Sequence, residues 1–172
     1  MGTFPGQAEY AVILGAAYTL TSTTNKQQLF NATTNGALLL PVGTYFFECL
    51  SVITAMSSTS GNAAFDLLGN GTATVGDVLY QVVGIDVSAV TGTGARSGSF
   101  ATTVGSAASM VGAAGGTALG FCATGSFKVT AVGTVIPSVA LVTAAAAIVA
   151  VGSYFRCRLV GSGAVTAVGP WS

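Results

Sequence analysis

The run Thr44–Ala55 (TYFFECLSVITA) constrains the fold of this chain more than any other segment. Val, Ile, Phe, Tyr and Thr dominate it, which favours a β-strand, and strand geometry sorts its side chains into two rows. One row carries Tyr45, Phe47, Cys49, Ser51 and Ile53; the other carries Phe46, Glu48, Leu50 and Val52. An antiparallel sheet with one wetted side needs one polar row, and here both rows are mostly apolar. The pattern predicts a sandwich core on one face and a subunit interface on the other. Gly152–Val160 reads the same way, with Phe155, Cys157 and Leu159 on one face and Tyr154, Arg156, Arg158 and Val160 opposite. Both strands begin on a similar tetrapeptide, Gly43-Thr44-Tyr45-Phe46 and Gly152-Ser153-Tyr154-Phe155, which suggests equivalent central positions.

Further strand signals fill the chain: Tyr10–Leu14, Ala17–Thr21, Gln27–Asn31, Gly36–Leu40, Asn62–Leu68, Val78–Val83, Ser97–Thr103, Thr117–Ala123, Gly125–Ala131 and Thr134–Val142. Short β-branched and aromatic runs divided by Gly, Asn and Ser indicate an all-β sandwich or jelly roll of about 8–10 strands. Residues 1–9 read as a short N-terminal arm and 10–172 as one domain, with no compositional break inside it. The Gly-rich stretch Ser88–Gly116 reads as long surface loops around a short strand near Phe100.

Charge then says what surrounds these strands. Charged residues make up 6% of the sequence, against roughly 25% in an average soluble domain. Five bases and five acids are scattered and cancel. So thin a polar coat implies either insertion in a membrane or burial against other subunits. Val135–Phe155 is long enough to span a bilayer, and Arg156 and Arg158 follow it. Pro137, Gly152 and the hydroxyls of Ser138, Thr143 and Ser153 argue against a spanning helix, so assembly is the expectation. No base precedes the apolar Ala11–Ala17 stretch and Glu9 does, so no signal peptide is expected. Three widely spaced cysteines, Cys49, Cys122 and Cys157, fit buried free thiols rather than a disulfide or metal motif.

The chain has no histidine, which removes the commonest general base and metal ligand. Asp66 paired with Asp77 or Asp86 would be a formal glycosidase dyad, but isolated acids near turns are ordinary. Five dispersed bases do not form a nucleic-acid stripe. The expectation is a non-enzymatic protein with no cofactor, metal, nucleic-acid or membrane partner. Its candidate contact residues are Tyr45, Phe46, Phe47, Glu48, Tyr154, Phe155, Arg156 and Arg158 at a subunit interface, with Phe4, Pro5 and Trp171 as further partner contacts. A carboxylate between Phe46 and Leu50 is costly if buried alone, so Glu48 is expected to pair with Arg156 or Arg158, within or between subunits.

The segment Leu40-Pro41-Val42-Gly43-Thr44-Tyr45-Phe46-Phe47-Glu48-Cys49 resembles the strand opening the core of trimeric jelly rolls, the tumour-necrosis-factor-like and complement-globular-head domains. Gly152-Ser153-Tyr154-Phe155-Arg156-Cys157 resembles their last aromatic strand, near the trimer axis. The wider texture resembles structural proteins of tailed phages and prophages, through Leu29–Cys49, Ser60–Asp66 (SGNAAFD), Ile136–Ala147, the GSYFRC motif and Val168–Ser172. The resemblance implies a homotrimer located in the virion, made in the host cytoplasm. It leaves two roles open: a capsid decoration or cement protein bound to the major capsid protein or other virion proteins, or the receptor-binding head of a tail or head fibre, facing a host-surface receptor. The lack of a stalk-like repeat before the first strand favours decoration. A soluble cytokine-like ligand, which needs export, is the third and weaker reading.

Overall fold

The computed structural model describes residues 8–21, 23–31, 36–58, 62–67, 71–87, 94–110 and 116–161. Through them run β1 (Glu9–Ile13), β2 (Tyr18–Thr19), β3 (Gln27–Gln28), β4 (Leu38–Leu40), β5 (Gly43–Thr54), β6 (Ala63–Asp66), β7 (Thr74–Val87), β8 (Ala95–Ala101), β9 (Ala108–Ser109), β10 (Ala118–Ala131), β11 (Gly133–Val135), β12 (Ser138–Leu141), β13 (Ile148–Val149) and β14 (Tyr154–Gly161). A large sheet has the order β1-β14-β5-β10-β7-β8, with β13 attached to β5 and β2 to β13. A smaller sheet has the order β3-β12-β6-β9, and β11 and β4 form a ribbon. The pairings are antiparallel. Along the chain, β1, β5, β10 and β14 fall in the large sheet, while β3, β6, β9 and β12 fall between them in the small one. That alternation makes an antiparallel sandwich compatible with a jelly roll. The β7–β8 hairpin lies between β6 and β9 in sequence and widens the large sheet beyond β10.

Aromatic side chains close the space between the sheets. Phe65 on β6 meets Phe47, Tyr80 and Phe121 of the large sheet at ring-centroid distances of 6.3, 5.7 and 5.9 Å. Phe47 also meets Phe155 at 5.5 Å and Phe127 at 5.9 Å. Each such ring removed from water contributes on the order of 1.5–3 kcal/mol before chain entropy is counted. Tyr45 stacks on Phe127 at 5.2 Å and donates its hydroxyl to Pro41 O at 2.7 Å, so its polar end is satisfied.

Several expected boundaries move for identifiable reasons. Thr117–Ala123 and Gly125–Ala131 are one strand, β10, running straight through Gly125. That glycine is opposite both Phe47 and Tyr80, and an added Cβ would come within 2.2 Å of Leu79 O. Crowding, not a turn, selects glycine there. Thr134–Val142 is two strands instead of one. Pro137 has no N–H for a ladder, and the chain leaves β4 for the small sheet at that point, Pro137 O accepting from Leu29 N at 2.8 Å. Of the Gly-rich stretch 88–116, residues 88–93 and 111–115 lie outside the described residues. The part between them forms β8 and β9 and buries Ala108 and Met110, so it is more than surface loop. Val135–Phe155 forms parts of β11, β12, β13 and β14 in three sheets. No helix among the described residues is long and apolar enough to cross a membrane. β1 begins at Glu9, and Ala8 O already accepts from Leu159 N at 3.0 Å, so these two positions join the sheet rather than the expected arm.

Candidate functional site

β5 keeps the two rows read from its sequence: Tyr45, Phe47, Cys49, Ser51 and Ile53 are buried, while Phe46 and Leu50 remain 47% and 46% exposed. β14 is its neighbour, with Arg158 opposite Phe46, Arg156 opposite Glu48 and Tyr154 opposite Leu50. Phe46, Glu48, Tyr154, Arg156 and Arg158 therefore share the outward face of the large sheet. Tyr45, Phe47 and Phe155 do not. Strand alternation turns them into the core, where they are buried among rings of their own chain and out of a neighbour's reach, which corrects their grouping with the interface. The two Tyr-Phe tetrapeptides are likewise out of phase: Tyr45 points inward and Tyr154 outward, so they are not equivalent positions. Phe4, Pro5 and Trp171 lie outside the described residues.

Glu48 organises the polar part of this face. The Tyr154 hydroxyl donates to its Oε1, and Arg156 Nη2 donates to its Oε2 at 2.8 Å. Both partners favour the ionised carboxylate, the tyrosine most, and hold Glu48 below its ordinary range; the same bond raises Tyr154. The pairing is within the chain and uses Arg156. Arg158 instead sits over the Phe46 ring at 5.9 Å, and Arg156 also reaches over Tyr154 at 6.0 Å. A hollow of about 370 Å³ opens over Glu9, Phe46, Glu48, Arg156 and Arg158. A second, of about 510 Å³, opens over Thr44, Asp77, Leu79, Ser126 and Lys128.

The same face continues onto β10, β7 and β8, beyond the expected contact residues. β10 contributes Gly120, Cys122, Thr124 and Ser126, flanked by Val52, Leu50, Glu48 and Phe46 of β5 and by Ile85, Val83, Gln81 and Leu79 of β7. Phe100 of β8 lies beside Gln81, and Ile13 of β1 beside Tyr154. Ile13, Phe46, Leu50, Leu79, Val83, Ile85 and Phe100 are between 38% and 73% exposed. Together they present on the order of 700 Å² of apolar surface, above the about 300–600 Å² of a typical monomer's largest patch. The signal was present in β7, whose rows Leu79, Val83, Ile85 and Val78, Tyr80, Val82 are both apolar, as in β5.

The other singled-out residues lie elsewhere. Cys49 and Cys157 are buried free thiols, and burial pushes Cys157 up to about 12. Cys122 departs from the expectation by standing partly exposed on the outward face. Asp66 is buried and bound to Lys26 Nζ at 2.5 Å. Asp77 is exposed and Asp86 buried at opposite ends of β7, nine residues or about 30 Å apart at strand rise. Among the described residues no three His, Cys, Asp or Glu side chains cluster as metal ligands.

No family model and no curated protein matches this chain. Among solved structures, the infectious bursal disease virus VP2 subviral particle is similar at 12% identity with a TM-score of 0.16, over 90% of this chain and 42% of that one. The chain spans less than half of that structure's length, and a score so low carries no argument.

Proposed function

We propose that this chain is a structural protein of a bacteriophage particle: a jelly-roll subunit that forms a homotrimer and decorates the capsid exterior, bridging copies of the major capsid protein. The observation that carries this reading is the outward face of the large sheet, with Ile13, Phe46, Leu50, Leu79, Val83, Ile85 and Phe100 among the large apolar side chains held open to solvent in the single chain. Such a face, on a chain with 6% charged residues, calls for a protein neighbour. An antiparallel sandwich compatible with a jelly roll and the sequence resemblance to tailed-phage structural proteins support the choice of particle. The role rests on contact area and requires no cofactor.

The test is to add the purified protein to undecorated capsids and, separately, to host cells, and to follow its sedimentation with each. Co-sedimentation with capsids supports decoration. Binding to cells without binding to capsids overturns it in favour of a receptor-binding head. A stable monomer by light scattering counts against the trimer.

A further inference from the structure

The strand glycines fall into two groups. Gly84, Gly125 and Gly133 are demanded by the chain itself: an added Cβ would meet Leu79 O at 2.2 Å from Gly125, Met110 O at 2.0 Å from Gly84, and Ala73 N at 2.5 Å from Gly133. Gly120 is different. It lies inside β10 on the outward face, and nothing of its own chain lies within 4 Å of where its Cβ would be. Gly98 on β8, beside Val83, meets only ordinary contacts at 3.5 and 3.9 Å. Neither has a left-handed backbone. Glycine in a strand interior weakens it, so a glycine that its own fold does not require marks close approach by something else.

Gly120 and Cys122 form the floor of a furrow. Leu50 and Val52 of β5 wall one side and Val83 and Ile85 of β7 the other, about two strand spacings or 10 Å apart. That width admits a single row of side chains. We infer that the furrow seats an apolar row from a second copy of this chain, packed sheet on sheet, with its closest approach at Gly120 and Gly98. The same surface supplies exposed apolar side chains outside those walls in Phe46, Leu79 and Phe100. Its exposed apolar area, on the order of 700 Å², approaches the about 800 Å² per partner of a standard interface. Glu48 is already paired with Arg156 within the chain, so that carboxylate enters a contact with a neighbouring copy with its charge met.

This inference deepens the self-assembly proposed above and rests on it, so wild-type mass is measured first, by sedimentation across a dilution series. Gly120→Ala and Gly120→Leu are then compared with Gly15→Ala, a site outside the furrow where an added Cβ also meets nothing. Circular dichroism melting of the dilute subunits reports folding. The expected result is a Gly120→Ala subunit that folds at least as well as wild type and associates about tenfold more weakly. Gly120→Leu is expected to lose about a hundredfold, while Gly15→Ala is unchanged. Wild-type association by a folded Gly120→Ala subunit overturns the furrow and leaves self-assembly standing. A wild-type chain that stays monomeric throughout overturns both.

Discussion

Glu48 on β5 and Arg156 on β14 are register partners whose side chains meet at 2.8 Å on the side of the sheet turned away from the core. The Tyr154 hydroxyl and then Arg156 hold the carboxyl below its ordinary 4.5, so the folded chain binds that proton less tightly than the unfolded one. Its stabilising contribution is therefore present above the unfolded value and lost as pH falls through the folded one. Denaturation of wild type and Glu48→Gln should differ by a small margin at pH 7, wild type being the more stable, and the gap should close below about pH 4. Identical melting at both pH values, together with identical assembly, would remove any role for the pair.

Phe46 and Phe47 are adjacent in sequence and opposite in placement. Phe47→Ala empties a site among four other rings and should cost about 3–5 kcal/mol in urea denaturation. Phe46→Ala should leave the isolated subunit within about 1 kcal/mol of wild type while weakening assembly in sedimentation. A large stability loss at Phe46 contradicts the facing assigned to β5.

Lys26 reaches the buried Asp66 at 2.5 Å and also donates to Gly105 O, tying the approach to β3 to the turn before β9. Lys26→Met strands the carboxylate and should cost about 1–3 kcal/mol. Adding Asp66→Asn should return much of that loss, and a double-mutant cycle measures it. Strictly additive single losses would show that the two side chains are uncoupled.

Thiol reagents should label Cys122 in the folded, dilute subunit well before Cys49 and Cys157, which should react only on unfolding. Burial raises the Cys122 thiol above its ordinary 9.0, so its labelling should accelerate as pH rises into and beyond that range. Concentrated, assembled protein should be protected. Equal labelling in both states argues that the furrow stays open.

Alternation in Thr44–Ala55 and Gly152–Val160 was readable in the sequence because a strand's two rows follow from chain geometry alone. Which row met the core was not. The apolar content of both rows conceals it, and Tyr45, Phe47 and Phe155 read as contact residues beside Phe46 and Tyr154 although they face the other way. Gly125 reads as a break because its reason lies in the chain at Leu79 and Tyr80, far off in sequence. Two-residue strands such as β9 and β13 carry too few side chains for any period. The furrow needed the register of three strands before Gly120, Cys122 and their walls could be seen as one surface.

Among the described strands, β14 is synthesised last, yet it lies between β1 and β5, joining Glu9 to Arg158 and Glu48 to Arg156. Closing so long a loop is slow, and the large sheet lacks that strand until residues 154–161 have left the ribosome. A nascent chain therefore cannot present the complete outward face. Under the self-assembly proposed above, copies would pair through the whole face only after that strand has closed.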